Sequence, residues 1–273
     1  MDKKMGIVFW LATAWIGFML ACAVSAGFWP VPPPDQIDWI NLAAKPGVGG
    51  HLLGTDNMGR DIAARLLFGA RTSLTVGFFS PCIGLIFGCL VGVLAGFYRG
   101  WPEKMIGGAI DTFLAFPRLV FLLMATFVFG SSLPTLTIAL GIVAIPSFAR
   151  VARANTIRFA EREFVLAARG AGASDAAIVL REILPNVLMP MLVYMLLVMG
   201  FVIIAEGGLG FLGLSVPSPT PSWGGMIAEG REVLEQAPHV SMIPTIVMFL
   251  TIMSLNLVGD RMRGWFDGRE SQL

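Results

Sequence analysis

From Thr72 to Tyr98 the chain carries no charged residue, and Gly84, Gly88, Gly92 and Gly96 recur there at every fourth position. An uncharged run of this length is long enough to cross a bilayer as a helix. Positions four apart share one face of a helix, so these glycines form a smooth stripe that lets another backbone approach closely. The stripe predicts contact with a second helix, in this chain or in a sister subunit.

The rest of the chain has the same character. Hydrophobic residues make up 56% and charged residues 14%, with a mean hydropathy of +0.76. A soluble chain carries about 25% charged residues, so this composition belongs to the membrane class. The formal net charge of +1, with no basic stretch interleaved with aromatics, gives no footing for nucleic acid. Cys22, Cys82 and Cys89 all lie in apolar runs and read as small buried apolar residues, not a disulfide framework. His51 and His239 are far apart and lack metal-ligand spacing.

Six apolar runs read as spans: Ile7–Phe28, Thr72–Tyr98, about 106–130, 133–149, 185–205 and 240–259. The expected fold is an all-α membrane protein of six transmembrane helices. The first run is longer than the core of a cleaved signal peptide and reads as a retained span, although Val24-Ser25-Ala26 resembles a cleavage site. The third carries Asp111 and Arg118 near its start, where both can reach the interface. Pro146 predicts a kink near the end of the fourth.

Between the first two spans the chain is polar and proline-rich. Ile62, Leu66, Leu67 and Ala70 then fall at helical spacing, with Arg60, Asp61, Arg65 and Arg71 between them. This predicts an amphipathic helix along the membrane surface. Two domains follow: 1–70, with the first span, the loop and this helix, and 71–273, the main transmembrane domain. Asp56, Arg60 and Asp61 read either as charges holding the loop together or as contacts to a ligand. Glu206 reads as a loop cap near the outer surface and Trp223 as an interfacial anchor, or both as substrate contacts.

Lysine and arginine set the orientation. With the N-terminus inside, Lys3, Lys4, Arg99, Lys104, Arg150, Arg153, Arg158, Arg162, Arg169, Arg181, Arg261, Arg263 and Arg269 are internal. Only Lys45, Arg60, Arg65, Arg71 and Arg231 are external. Both termini are therefore expected in the cytoplasm, together with the polar interruption 161–185. That stretch reads as two helical halves, 161–171 and 174–184, hinged at Gly172, with Ser174 as the N-cap of the second. No GxxxxGK[ST] loop, G-x-S-x-G elbow or HExxH pair occurs. The chain reads as a passive gate moved by a partner, not as an enzyme.

Within 161–185, Ala167-Ala168, Gly172 and Leu184-Pro185 match the "EAA…G…LP" loop of permease subunits of bacterial ATP-binding-cassette (ABC) importers. Leu166 stands where that loop has glutamate and Glu182 where it has isoleucine. HLLGTDNMGRDI, AEGGLGFLGLSVPSPTPSWGGMIAEGR and NLVGDRMRGWFD resemble the same branch, so from His51 onward the chain is similar to C-type permeases of dipeptide, oligopeptide and nickel systems. Gly268 stands where that branch often has proline.

The resemblance implies a type I ABC importer permease fold in the bacterial inner membrane. It implies a homologous B-type permease beside this chain, two ATPase subunits that bind ATP and Mg beneath it, and a substrate-binding protein outside. The chain itself would hold no cofactor or metal. The ATPase-coupling residues would be Glu163, Ala167, Ala168, Arg169, Gly170, Gly172, Ala173, Ser174, Asp175 and Pro185. With Leu166 in place of glutamate, docking would rest on fit, the hinge and neighbouring charges. Import of peptides is the expected activity, with nickel or metal-chelate import or a stand-alone secondary transporter as alternatives.

Overall fold

The computed structural model describes residues 6–270, with side chains from 6 to 265. Lys3 and Lys4, and the side chain of Arg269, lie outside this range. Among the described residues all regular structure is helical: α1 (Ile7–Ser25), α2 (Ile62–Phe97), α3 (Trp101–Ala115), α4 (Arg118–Phe129), α5 (Leu133–Ala160), α6 (Glu163–Gly170), α7 (Asp175–Ala177), α8 (Leu184–Phe211), α9 (Trp223–Gly230) and α10 (His239–Glu270). Five stretches are long and apolar enough to span a membrane, and the bent pair α3–α4 makes a sixth if counted as one.

Three elements differ from expectation. The segment read as a separate surface helix is the first part of α2, which runs unbroken from Ile62 to Phe97. Arg60, Asp61 and Arg65 are buried among loop groups and only Arg71 of the four charged residues is exposed, so the periodicity marked a helix face largely covered by protein. The third span is broken: α3 and α4 meet at an angle of 81°. Pro117 lacks an N–H and disfavours helical backbone in the residue before it, and Phe116 is extended at φ −77, ψ 131. The second half of the polar hairpin is not a separate helix. α7 passes through a π-helical turn at Ile178–Ile183 directly into α8.

The chain forms two compact units. The first comprises Met1–Phe78, Ala125–Thr137 and Met199–Val258, and the second Phe79–Met124, Ile138–Val198 and Gly259–Leu273.

In the first unit Trp15 of α1 donates from Nε1 to Thr251 Oγ1 of α10 at 3.1 Å. Ile62, Met226, Ala237 and Val240 form a buried apolar cluster that joins α2, α9 and α10. Gly77 of α2 lies against Ile203 of α8, where a Cβ would come within 2.7 Å of its Cγ1.

In the second unit the glycine stripe meets α5. A Cβ at Gly84 would lie 2.7 Å from the Phe148 ring, and at Gly96 2.8 Å from Thr156 Cβ. Gly88 and Gly92 face Ile145, Phe148, Ala149, Ala152 and Arg153 in the same way. The second helix predicted by the stripe is therefore α5 of this chain. Phe148 also packs edge-on against Tyr194 of α8, with ring centroids 5.0 Å apart.

Candidate functional site

Two regions gather the residues singled out by the sequence, one in each unit.

In the first unit the segment before α2 folds back on itself. Short antiparallel bridges join Ile37 to Arg60 and Thr55 to Asp61. Gly54 and Gly59 adopt φ +83 and +79, a left-handed backbone that glycine adopts without strain. Asp56 accepts from the backbone N–H of Met58 and Arg60, and its Oδ2 takes Arg60 Nε at 2.7 Å. The Nη2 atoms of Arg60 and Arg65 converge on Glu229 Oε2 of α9, at 2.6 and 2.8 Å. Arg65 Nε is also 3.4 Å from Asp56 Oδ2. Both guanidiniums are buried, at 3% and 2% exposure, with two carboxylates to balance them. Buried charges are tolerable only when paired in this manner.

Asp61 caps the start of α2 by accepting from the Ala64 N–H at 2.8 Å. Its other oxygen lies 2.7 Å from His51 Nδ1, while His51 Nε2 is 3.4 Å from Asp38. The hydrogen bond to Asp61 raises the His51 pKa above the ordinary histidine value. Asp38 accepts from Asn41 and from the Ile40 N–H, which bring its pKa down to about 2. Asp56, Arg60 and Asp61 are thus all bonded within the protein, to the loop, to α2 and to Glu229.

Glu206 and Trp223 differ from their expected places. Glu206 is fully buried near the C-terminal end of α8. It accepts from Ser222 Oγ at 2.8 Å and from Ser215 Oγ. It therefore fastens the 212–222 loop from inside the protein and does not cap it at the surface. Trp223 is fully buried too, which excludes an interfacial lipid anchor. Its indole N–H donates to the Leu66 carbonyl at 3.2 Å and its backbone N–H to Ser73 Oγ at 3.0 Å, both on α2. Sequence reading missed Glu229. Its only signal was a lone acid opposite two arginines about 165 residues earlier, a distance that no local spacing encodes.

In the second unit α5 leads through a turn at Glu161 and Arg162 into α6. Arg99 pairs with Glu161 at 2.8 Å, bracing the turn against the α2–α3 connection. Val165 is the only fully buried residue of α6, while Glu163, Ala167, Arg169 and Gly170 are exposed. The helix ends in a Schellman motif: Gly172 N–H donates to the Arg169 carbonyl at 3.0 Å and Ala173 N–H to the Ala168 carbonyl at 3.0 Å. Gly172 takes the left-handed position, at φ +83. Ser174 then caps α7, its hydroxyl accepting from the Ala177 N–H at 3.4 Å. Arg169 lies over the Phe97 ring, 6.0 Å from its centroid, and 3.9 Å from Asp175. Pro185 is exposed within the first turn of α8. The expected hinge is present, with an exposed small-residue face on one side and a spanning helix on the other.

Among the described residues no group of three or more His, Cys, Asp or Glu side chains is placed to hold a metal ion.

A family model described as "Binding-protein-dependent transport system inner membrane component" matches residues 88–272. A glutathione transport system permease protein GsiD of Pectobacterium atrosepticum is 35% identical over 256 residues, covering 92% of this chain and 85% of that protein. The GsiD protein of Escherichia coli is 40% identical over 238 residues, 87% of this chain and 78% of its own. A dipeptide transport system permease protein DppC of Alkalihalophilus pseudofirmus is 38% identical over 217 residues, 80% of this chain and 71% of that one. Among solved structures, an inward-facing conformation of the MetNI methionine ABC transporter shares the fold. Its TM-score is 0.61 at 20% identity, over 73% of this chain and 95% of that one.

Proposed function

Because the chain belongs to the family of binding-protein-dependent transport system inner membrane components, we propose that it forms half of the translocation pathway of an ATP-driven importer for short peptides. It is a multi-pass, non-catalytic component of the bacterial inner membrane. The observation that carries the peptide reading is the match, along most of the chain, to permeases named for glutathione and for dipeptides.

In this reading a homologous B-type permease supplies the other half, and two ATPase subunits bind ATP and Mg in the cytoplasm. A binding protein delivers substrate from outside. The positive-inside distribution supports cytoplasmic termini and a cytoplasmic hairpin. Glu163, Ala167, Ala168, Arg169, Gly170, Gly172, Ala173, Ser174, Asp175 and Pro185 form the surface that seats in the ATPase. Exposure of the α6 face supports this, because small side chains allow close approach. The direct passage from α7 into α8 gives the ATPase a rigid connection to a span, suited to a rigid-body switch. Asp56, Arg60, Asp61, Glu206 and Trp223 hold the first unit together and do not touch substrate, which their burial supports.

The test is uptake. Cells that lack this chain should lose import of labelled glutathione or dipeptides, and the wild-type gene should restore it. Unchanged uptake of both substrates would overturn the reading.

A further inference from the structure

Within the first unit, the end of α8 and the start of α10 flank a cleft of about 310 Å³. Phe211 is the last residue of α8, and Met242 and Ile246 lie in the first turns of α10. Leu234, from the segment that follows α9, closes a third side. These four side chains are between 47% and 54% exposed, each half covered by protein and half left open. The cleft therefore sits at the common end of two apolar spans.

The hydroxyl groups that line it are already engaged. Ser241 Oγ donates to the Ile227 carbonyl at 3.2 Å, and Thr245 Oγ1 to the Ser241 carbonyl at 2.7 Å. Arg231 differs. It lines the cleft, is exposed, and has no ion-pair or side-chain hydrogen-bond partner among the described residues. Glu229, two positions earlier, is taken by Arg60 and Arg65.

From the cleft an apolar stripe continues along α10. Met242, Ile246, Phe249 and Met253 are all exposed and fall at intervals of four, three and four, which places them on one helix face. Between Met242 and Met253 the helix rises about 16 Å, close to half of the roughly 30 Å hydrocarbon core. A free guanidinium at the end of the spans, above an apolar track one leaflet deep, matches a phosphate joined to an acyl chain.

We infer that this cleft binds a phospholipid of the leaflet that borders this end of α8 and α10. The headgroup phosphate pairs with Arg231, and one acyl chain lies between Phe211 and the Met242–Met253 face. Glu232 and Glu235, exposed close by in sequence, disfavour a headgroup of net negative charge. They suit one that carries an ammonium beside its phosphate, as phosphatidylethanolamine does. The inference goes beyond the importer reading, because the membrane and not the transported substrate supplies the ligand.

Photolabelling tests it. The chain, purified with the subunits that accompany it, is placed in nanodiscs containing phosphatidylethanolamine with a diazirine midway along one acyl chain. After irradiation, labelled peptides are mapped by mass spectrometry. The exposed face of α1, with Trp10, Leu11 and Phe18, reports contact with bulk lipid. Labelling between Met242 and Met253 should exceed that of α1 at least fivefold. Arg231→Gln should lower it at least threefold and leave α1 unchanged, and Ile246→Trp, which fills the cleft, should lower it as well. A phosphatidylglycerol probe should label the site less.

Labelling of α10 at the level of α1 and indifferent to Arg231→Gln means bulk lipid only. No labelling there means that a protein surface covers the cleft. Either result overturns the inference and leaves the importer reading standing, and equal labelling by phosphatidylglycerol overturns the headgroup assignment.

Discussion

The Cα of Gly88 sits so close to Phe148 that a single added methyl would lie 2.5 Å from the Phe148 Cβ and 2.8 Å from the Ile145 carbonyl oxygen. Neither obstacle is the end of a flexible side chain. Van der Waals packing between small-residue faces holds α2 to α5 here, as expected where lipid removes any hydrophobic drive between helices.

Gly88→Val should therefore separate α2 from α5, at a cost of about 1–3 kcal/mol or more. Gly107→Ala and Gly108→Ala, with nothing within 4 Å of the added carbon, should be neutral. Thermal unfolding of the purified protein in detergent distinguishes the two outcomes.

Removing Glu229 leaves the guanidiniums of Arg60 and Arg65 buried with Asp56 as their remaining carboxylate. Loss of one partner from a buried pair costs about 3–5 kcal/mol. Glu229 is itself 27% exposed, which places Glu229→Ala toward the lower end. Glu161→Ala, in a pair exposed at 50% and 68%, should cost less than about 1 kcal/mol. Melting temperatures of the two variants should rank accordingly.

The loop before α2 should loosen as pH rises. The folded state holds a proton on His51 more tightly than the unfolded chain does, because Asp61 accepts from it. Its contribution is complete below the unfolded value of about 6.5 and is lost as pH rises through the higher folded value. Asp38, at about 2, stays ionised throughout this window and adds no slope of its own. Amide exchange at residues 54–61, measured between pH 6 and 9 and corrected for intrinsic rates, should show protection falling with pH. His51→Gln should flatten the profile.

Gly172→Val tests the hinge. The site is sterically open, with nothing within 4 Å of an added Cβ, so the penalty is confined to the left-handed backbone at φ +83. That amounts to about 1–2 kcal/mol. Membrane insertion and melting temperature should change little, whereas substrate uptake should fall with ATP hydrolysis partly retained. Uptake at the wild-type rate would argue against the proposed coupling role.

Much of this was legible in the residues. The uncharged runs announced the spans, the glycines of α2 announced a close helix contact, and Gly172 with Ser174 announced the hairpin turn. These signals are local, each a periodicity or a cap that the chain carries within a few turns. What escaped depended on distant partners. Arg60, Asp61 and Arg65 looked like a solvated face because Glu229 and His51, which neutralise them, cannot be inferred from spacing. Trp223 looked like an interfacial anchor because the Leu66 carbonyl that satisfies its indole belongs to another helix. Pro117 was visible, but the angle it imposes on the third span depends on what α3 and α4 pack against.

The π turn at Ile178–Ile183 fixes how the sequence of this region can change in length. A π turn accommodates one more residue than an α turn. Deleting one residue there would restore α geometry and leave the helix faces on its two sides close to their present register. A residue lost or gained in the α-helical part of α8 has no such outlet and would swing everything beyond it by about 100°. The π turn is therefore the one place in this connection where a single-residue deletion leaves the hairpin facing as it does now.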